Sequence, residues 1–183
     1  MTAALRAELI ALLRERSFRR GTFTLASGRQ SEFYVDARPT TMSARGLSLV
    51  GSLGLEAIRE TGWQPQLVGG LTLGADPVAY AIAAASDRSP PRIDGFTVRK
   101  EAKGHGTGRQ IEGPFEKGAR VVVVEDVITT GGSALRAIEV VRREGGQVVG
   151  LLAVVDREEG GLEALASSGC PVVALVRLQD LTT

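Results

Sequence analysis

The sequence is poor in several residues that carry much of protein chemistry. Its 183 residues include one cysteine, one histidine and three lysines. Cys170 has no partner for an internal disulfide, which fits a reducing compartment; it reads as a packed, inert thiol. No apolar run approaches the roughly 18 residues that a membrane span needs, so none is expected. The opening stretch, MTAALRAELIALLRERSFRR, is amphipathic and broken by charges. It lacks a clean cleavage site and does not read as a signal peptide, so the expected location is cytoplasmic. The formal net charge is +1, which gives no bias toward nucleic acid or a membrane surface. Internal repeats and low-complexity linkers are missing. So are the GK[ST] of a Walker A loop and the G-x-G-x-x-G of a dinucleotide site. The length suits one domain, 1–183, with a full core.

What is present centres on residues 121–133, VVVVEDVITTGGS. Four β-branched residues in a row read as a strand buried on both faces, as in a parallel sheet. Glu125 and Asp126 then fall at its C-terminal end, where open α/β sheets bind ligands. Val127 and Ile128 lead into Thr129, Thr130, Gly131, Gly132 and Ser133. Beyond them Ala134, Leu135, Ile138 and Val141 are spaced for one face of a helix. The turn therefore stands at a helix N-terminus, with free backbone N–H groups and hydroxyls that cradle a phosphate. Two carboxylates beside a phosphate cradle repel the anion unless sugar hydroxyls or a metal ion lie between. A five-carbon sugar phosphate fits, with its 5′-phosphate in the turn and its 2′- and 3′-hydroxyls on Glu125 and Asp126. A plain strand ending in helix-capping residues would need neither both acids nor the TTGGS composition.

Around that unit the chain alternates strands and helices. Residues 3–16 read as a helix with Leu5, Leu9, Leu12 and Leu13 on one face, closed by Arg19, Arg20 and Gly21. Residues 22–38 read as a hairpin with a turn at Ser27 and Gly28. Residues 43–60 form a helix with Ser43 as N-cap; Trp63 packs beyond it. Residues 67–71 are a short buried strand leading through Thr72, Leu73 and Gly74 to Asp76 as N-cap and Pro77 at the first helical position. This is a second glycine loop before a helix, suited to a pyrophosphate. Residues 93–99 make a strand. Residues 100–113, KEAKGHGTGRQIEG, are glycine-rich and lack apolar anchors. Two of the three lysines, Lys100 and Lys103, lie there, with Arg109, the only histidine, His105, and Arg99 just before. Such a loop is either a solvated tip or a cationic lid for a polyanionic substrate. Strands at 147–155 and 172–176 flank a short helix at 162–167, and Arg157 follows the first of them at the edge that carries Glu125 and Asp126. The pattern predicts an α/β fold with a doubly wound, mostly parallel central sheet over 41–183. A small N-terminal helix and hairpin hood covers 1–40.

Residues 121–133 resemble the PRPP-binding signature of the type I phosphoribosyltransferases. FTLASGR at 23–29 with Phe33 and Tyr34, RKEAKGHG at 99–106 and DREEGG at 156–161 extend the resemblance to the orotate phosphoribosyltransferase family, over nearly the whole chain. The resemblance implies transfer of the 5-phosphoribosyl group from PRPP to orotate with Mg²⁺, in pyrimidine synthesis. It implies a homodimer in which the 100–113 lid of each subunit reaches its partner's site. PRPP would be bound by Arg99, Lys100, Lys103, His105, Glu125, Asp126 and residues 127–133, with Lys103 and Asp126 catalytic. Orotate would meet Thr129, Tyr34 and Val35, and Arg157 would take its carboxylate as a bidentate fork. Mg²⁺ would be held mainly by PRPP and water, without dedicated protein ligands. The chain departs from the family where Ala26 and Leu73 replace frequent lysines, and where Glu125 replaces a common aspartate. The alternatives are a phosphoribosyltransferase for uracil or a purine, and a non-catalytic regulator of the same fold that senses PRPP. Arg157 and the RKEAKGHG loop speak against the first. The near-neutral charge offers the second no nucleic-acid face.

Overall fold

Strands that are apolar on both faces need cover on both faces, and the helices supply it. A computed structural model of the chain describes residues 2–24, 30–101 and 110–183. Helix α1 (Thr2–Arg16) precedes a hairpin, β1 (Phe18–Thr24) and β2 (Gln30–Val35), and a single turn, α2 (Arg38–Thr41). Then follow α3 (Ala44–Glu60), β3 (Leu67–Leu71), α4 (Ala75–Asp87), β4 (Asp94–Val98), β5 (Ile111–Glu112) and β6 (Arg120–Ile128). The chain ends with α5 (Gly132–Arg143), β7 (Gln147–Asp156), α6 (Gly161–Ser167), β8 (Val172–Arg177) and α7 (Leu178–Thr182). The main sheet runs β5-β4-β3-β6-β7-β8, and all its pairings are parallel except that of the edge strand β5. The doubly wound, mostly parallel sheet and the small hairpin beside it are those the sequence pattern predicts.

Alternation along β6 sorts the core into two layers. Val122 and Val124 join Leu9, Leu13, Leu49, Ile58 and Ile82 beneath α1, α3 and α4. Val121 and Val123 join Ala137, Ile138, Val141 and Leu165 beneath α5 and α6. All four valines are 0% exposed, so each contributes the full burial of a Val side chain, about 1.5–3 kcal/mol. The Ser43 side chain caps α3 by accepting from the Gly46 N–H at 3.1 Å, as its position predicts. Trp63 packs over Gly150, where an added Cβ would lie 2.5 Å from the indole. Cys170 is buried, and burial raises its thiol pKa.

Several local expectations are corrected. The first helix stops at Arg16, and Arg19 and Arg20 do not end it: they pair with Tyr34 and Phe33 in the hairpin. Phe18 stacks on Phe33 with ring centroids 5.6 Å apart, a long-range contact that overrides local helix preference. Asp76 is not the N-cap of α4. That place belongs to Gly74, and the Asp76 carboxylate instead accepts from Thr72 Oγ1 at 2.7 Å and Thr97 Oγ1 at 2.8 Å. Ile111 gives the 100–113 stretch an apolar anchor after all, since it is 8% exposed and pairs with Val98. The short elements α2, β5 and α7 carry too few residues to show a period.

Helices α3 and α4 meet at Gly51, where a Cβ would stand 2.5 Å from the backbone oxygen of Ala81. Helix propensity alone would make Gly51→Ala stabilising by about 1 kcal/mol. The clash is with backbone, which cannot rotate away, and overpacking of this kind costs about 1–3 kcal/mol. Gly51→Ala is therefore expected to lower the midpoint of urea unfolding; a raised midpoint would mean the two helices separate freely.

Candidate active site

The sheet order places the site. From β3 the chain crosses to β4 on one side, and β6 returns on the other side of β3. The loops after β3 and β6 leave the same edge, and a crevice opens between them at this switch point. They touch there: a Cβ on Gly74 would fall 2.4 Å from Asp126 Oδ1.

The loop after β6 is shaped for an anion. Gly131 is the N-cap of α5 with φ +82°, a left-handed conformation that glycine adopts without cost. No side chain caps this helix, so the first-turn N–H groups stay available to a ligand. The loop is braced from behind by Gly161, where a Cβ would lie 2.5 Å from the Thr129 oxygen. Glu125, Val127, Ile128, Thr129, Thr130, Gly131, Gly132, Ser133 and Ala134 enclose a cavity of about 200 Å³.

A second cavity of about 300 Å³ adjoins it and shares Glu125, Val127 and Ser133. Asp126, residues 71–74 and Lys100 line one part, and Tyr34, Val35, Asp36 and Arg38 bring the hairpin side. Tyr34 is 41% exposed, and its ring lies 5.4 Å from that of Phe23. Glu125 is 7% exposed and, among the described residues, its Oε2 has no hydrogen-bond partner. Burial, then the charge of Asp126, push its carboxyl up to about 9. Burial also raises Asp126 above the usual carboxylate range. Two adjacent desolvated carboxyls resist ionising together, so the pair holds a proton until a cationic or hydroxyl-bearing ligand meets it.

The sequence-predicted residues divide among several places. Glu125, Asp126, residues 127–133, Tyr34, Val35 and Lys100 meet around the two cavities. Arg99 lines neither; its Nε donates to Glu112 Oε1 at 2.8 Å on the edge strand. Arg157 follows β7 and its N–H donates to the Ile128 oxygen, so it stands beside the loop after β6. Its side chain is buried and turns to the hairpin, where Nη2 donates to Ser31 Oγ and the Phe33 oxygen and pairs with Glu159 at 2.7 Å. Among the described residues its Nε has no partner. Lys103 and His105, like Ala26, lie outside the described residues. Among the described residues no group of three or more His, Cys, Asp or Glu gathers to hold a metal, and no helix is long and apolar enough to cross a membrane. Sequence reasoning missed Asp36 and Arg38. The only signal for them is an acid and a base two residues apart at the end of β2.

Residues 45–168 match the phosphoribosyl transferase domain model. The chain is 44% identical to the orotate phosphoribosyltransferase of Rhodopirellula baltica over 95% of its own length and 92% of that protein's. It is similar to the crystal structure of Mycobacterium tuberculosis orotate phosphoribosyltransferase in complex with Fe(III) dicitrate, with a TM-score of 0.86 and 47% identity, covering 98% of this chain and 99% of that one. The M. tuberculosis enzyme in complex with 5-phospho-alpha-D-ribosyl 1-diphosphate (PRPP) aligns with a TM-score of 0.80 and 42% identity, covering 97% and 92%.

The Glu125 carboxyl carries a pH signature. Its pKa rises from 4.5 to about 9 on folding, so the folded protein holds this proton more tightly than the unfolded chain does. Its contribution to stability is complete below pH 4.5 and is lost as the pH rises through about 9. Glu125→Gln should flatten the decline in unfolding free energy across that window in ligand-free protein. An unchanged slope in denaturant melts from acid to pH 9 would mean Glu125 is ionised at neutral pH.

Proposed function

This chain belongs to the orotate phosphoribosyltransferase family, and from that premise we infer that it transfers the 5-phosphoribosyl group of PRPP to orotate, releasing orotidine 5′-monophosphate and pyrophosphate. The observation that carries the reading is the continuity of the two cavities. One cleft joins an uncapped helix N-terminus, a buried and a half-buried acid, and an aromatic hairpin edge. Those are a place for a 5′-phosphate, a place for ribose hydroxyls and a wall for a planar base.

The chemistry follows from charge. Displacement at the ribose C1 builds positive charge on the sugar and negative charge on the leaving pyrophosphate, and glycoside hydrolysis shares the sugar half of this. Residues 129–133 hold the 5′-phosphate through backbone N–H groups and hydroxyls. Glu125 and Asp126 accept from the ribose hydroxyls and set negative charge beside the cationic sugar. By the family resemblance Lys100, Lys103 and His105 balance the growing charge on the leaving group and close the cleft to water, joined by Arg99 if it leaves Glu112. Orotate differs from neutral bases by its carboxylate, which this reading assigns to Arg157; the Nε left without a partner among the described residues supports the assignment. By the family resemblance, Thr129, Tyr34 and Val35 complete the base pocket.

Mg²⁺ fits this donor set as an ion carried on the pyrophosphate. The unpartnered Glu125 Oε2 and the Asp126 carboxylate are oxygens suited to its water shell, and Mg²⁺ typically keeps several waters. Its part would be to neutralise pyrophosphate charge. The reading takes residues 1–183 as one cytoplasmic phosphoribosyltransferase unit, with 1–40 as hood. It acts as a homodimer whose lids are shared between the two sites.

Pyrophosphate release from PRPP and Mg²⁺ is expected with orotate and not with uracil, adenine or hypoxanthine. Release with another base would keep the transfer chemistry and overturn the carboxylate reading. PRPP binding without release for any base would point to a sensor. Lys103→Ala should lower kcat about a hundredfold or more, in the range of lost transition-state donors. The KM for orotate should stay within about twofold in that variant, because a residue that acts only as the leaving group departs changes kcat and not base binding. Unchanged turnover would remove Lys103 from the lid.

A further inference from the structure

A pyrophosphate brings several negative charges, yet the loop that faces it brings no cation. Leu73 stands at its tip, 54% exposed. The described cleft already holds three acids, Asp36, Glu125 and Asp126, and only two cations, Arg38 and Lys100. Lys100 sits at the edge of the lid. Arg38 is fixed. Its Nε donates to Asp36 Oδ1 and its Nη2 to Asp36 Oδ2, both at 2.8 Å, and its backbone N–H donates to the same carboxylate at 3.1 Å. Pro39 follows in the first turn of α2 and fixes its own φ there. The fork uses one edge of the guanidinium. The other edge, with both N–H groups of Nη1, makes no hydrogen bond among the described residues, and the side chain is 48% exposed.

A guanidinium held this way has lost its rotamer freedom before any ligand arrives, so its donors are preorganised for a planar or tetrahedral oxyanion. Asp36 is itself held below the usual carboxylate range by the Arg38 hydrogen bonds, so the fork persists at neutral pH. The position opposite residues 72–74 excludes the 5′-phosphate, which belongs to the loop after β6. We propose that Arg38 is a PRPP-binding residue that grips the pyrophosphate through Nη1, and that Asp36 is the positioning residue that aims it. The proposal rests on the phosphoribosyl-transfer reading above. It assigns to the hairpin side of the cleft a cation that the loop after β3 lacks.

Orotidine 5′-monophosphate separates the possibilities, because it carries the base and the 5′-phosphate but no pyrophosphate. Binding of PRPP, of pyrophosphate and of this nucleotide is measured by calorimetry on the whole chain, wild type and variants, independently of turnover. Arg38→Ala is expected to weaken PRPP and pyrophosphate about 10- to 100-fold, the range of a lost charge-assisted bond. The nucleotide should change by less than about threefold on the same scale. Asp36→Asn should weaken PRPP in the same direction but less, since the charge remains and only its aim is lost. If Arg38→Ala fails to fold, Arg38→Lys serves, with weaker PRPP and unchanged nucleotide binding expected. Leu73→Lys in the Arg38→Ala background should restore PRPP affinity by placing a cation across the same cleft. Equal loss for the nucleotide, or unchanged PRPP affinity, overturns the proposal. Wild-type protein that binds PRPP but releases no pyrophosphate with orotate overturns the transfer reading and leaves the Arg38 comparison intact.

Discussion

Two carboxyls at the end of a buried strand set the terms for the rest of this site. Glu125 and Asp126 follow four valines that are wholly out of water, and they inherit the low polarity of that environment. A buried acid needs a partner or a proton. Among the described residues Glu125 has no cation beside it, and its Oε2 has no hydrogen-bond partner. Burial of this kind costs free energy unless a donor or a cation meets the open oxygen. The loop after β3 makes room for Asp126, because a Cβ at Gly74 would fall 2.4 Å from its Oδ1.

Around this acidic pair the cations are few and unevenly placed. Arg99 is drawn to the edge strand by Glu112, and Arg157 is drawn to the hairpin by Ser31, Phe33 and Glu159. These guanidiniums tie separate elements together across the fold. Arg157 in particular joins β7 to the hood, so that the hairpin and the loop after β6 keep one relation. Arg38 is the described guanidinium whose tether, Asp36, leaves an edge facing the cleft. Lone surface ion pairs contribute little to stability. The Asp36–Arg38 pair matters instead through the direction in which it points a donor.

The hood and the loops beside β3 and β4 show where local sequence signals give way. Arg19 and Arg20 are good helix residues, yet they lie in a strand because Phe18 finds Phe33 and the two strands zip around that contact. Asp76 before Pro77 has the form of an N-cap, yet its carboxylate serves Thr72 and Thr97 and so braces the loop after β3. Ile111 looks isolated among polar residues until Val98 is beside it. Each of these outcomes depends on a partner far along the chain, which periodicity over a short window cannot contain.

The sequence by itself determined the central unit. Four β-branched residues, two acids and a glycine-rich turn before an amphipathic helix fix a strand, a charge pattern and a helix N-terminus within 24 residues of chain. Those are local properties, set by side-chain shape, spacing and free backbone N–H groups. The alternation of further strands and helices likewise implied the parallel sheet. Only the tertiary structure decided which charges share the cleft. Arg38 is separated from Asp126 by most of the core in sequence, and they line one cavity because β2 returns over the switch point. Arg157 stands where its strand places it, but its guanidinium points toward the hairpin because buried donors go to the nearest acceptors. Electrostatic partnership in a folded chain is a matter of distance in space, and spacing along the sequence does not encode it.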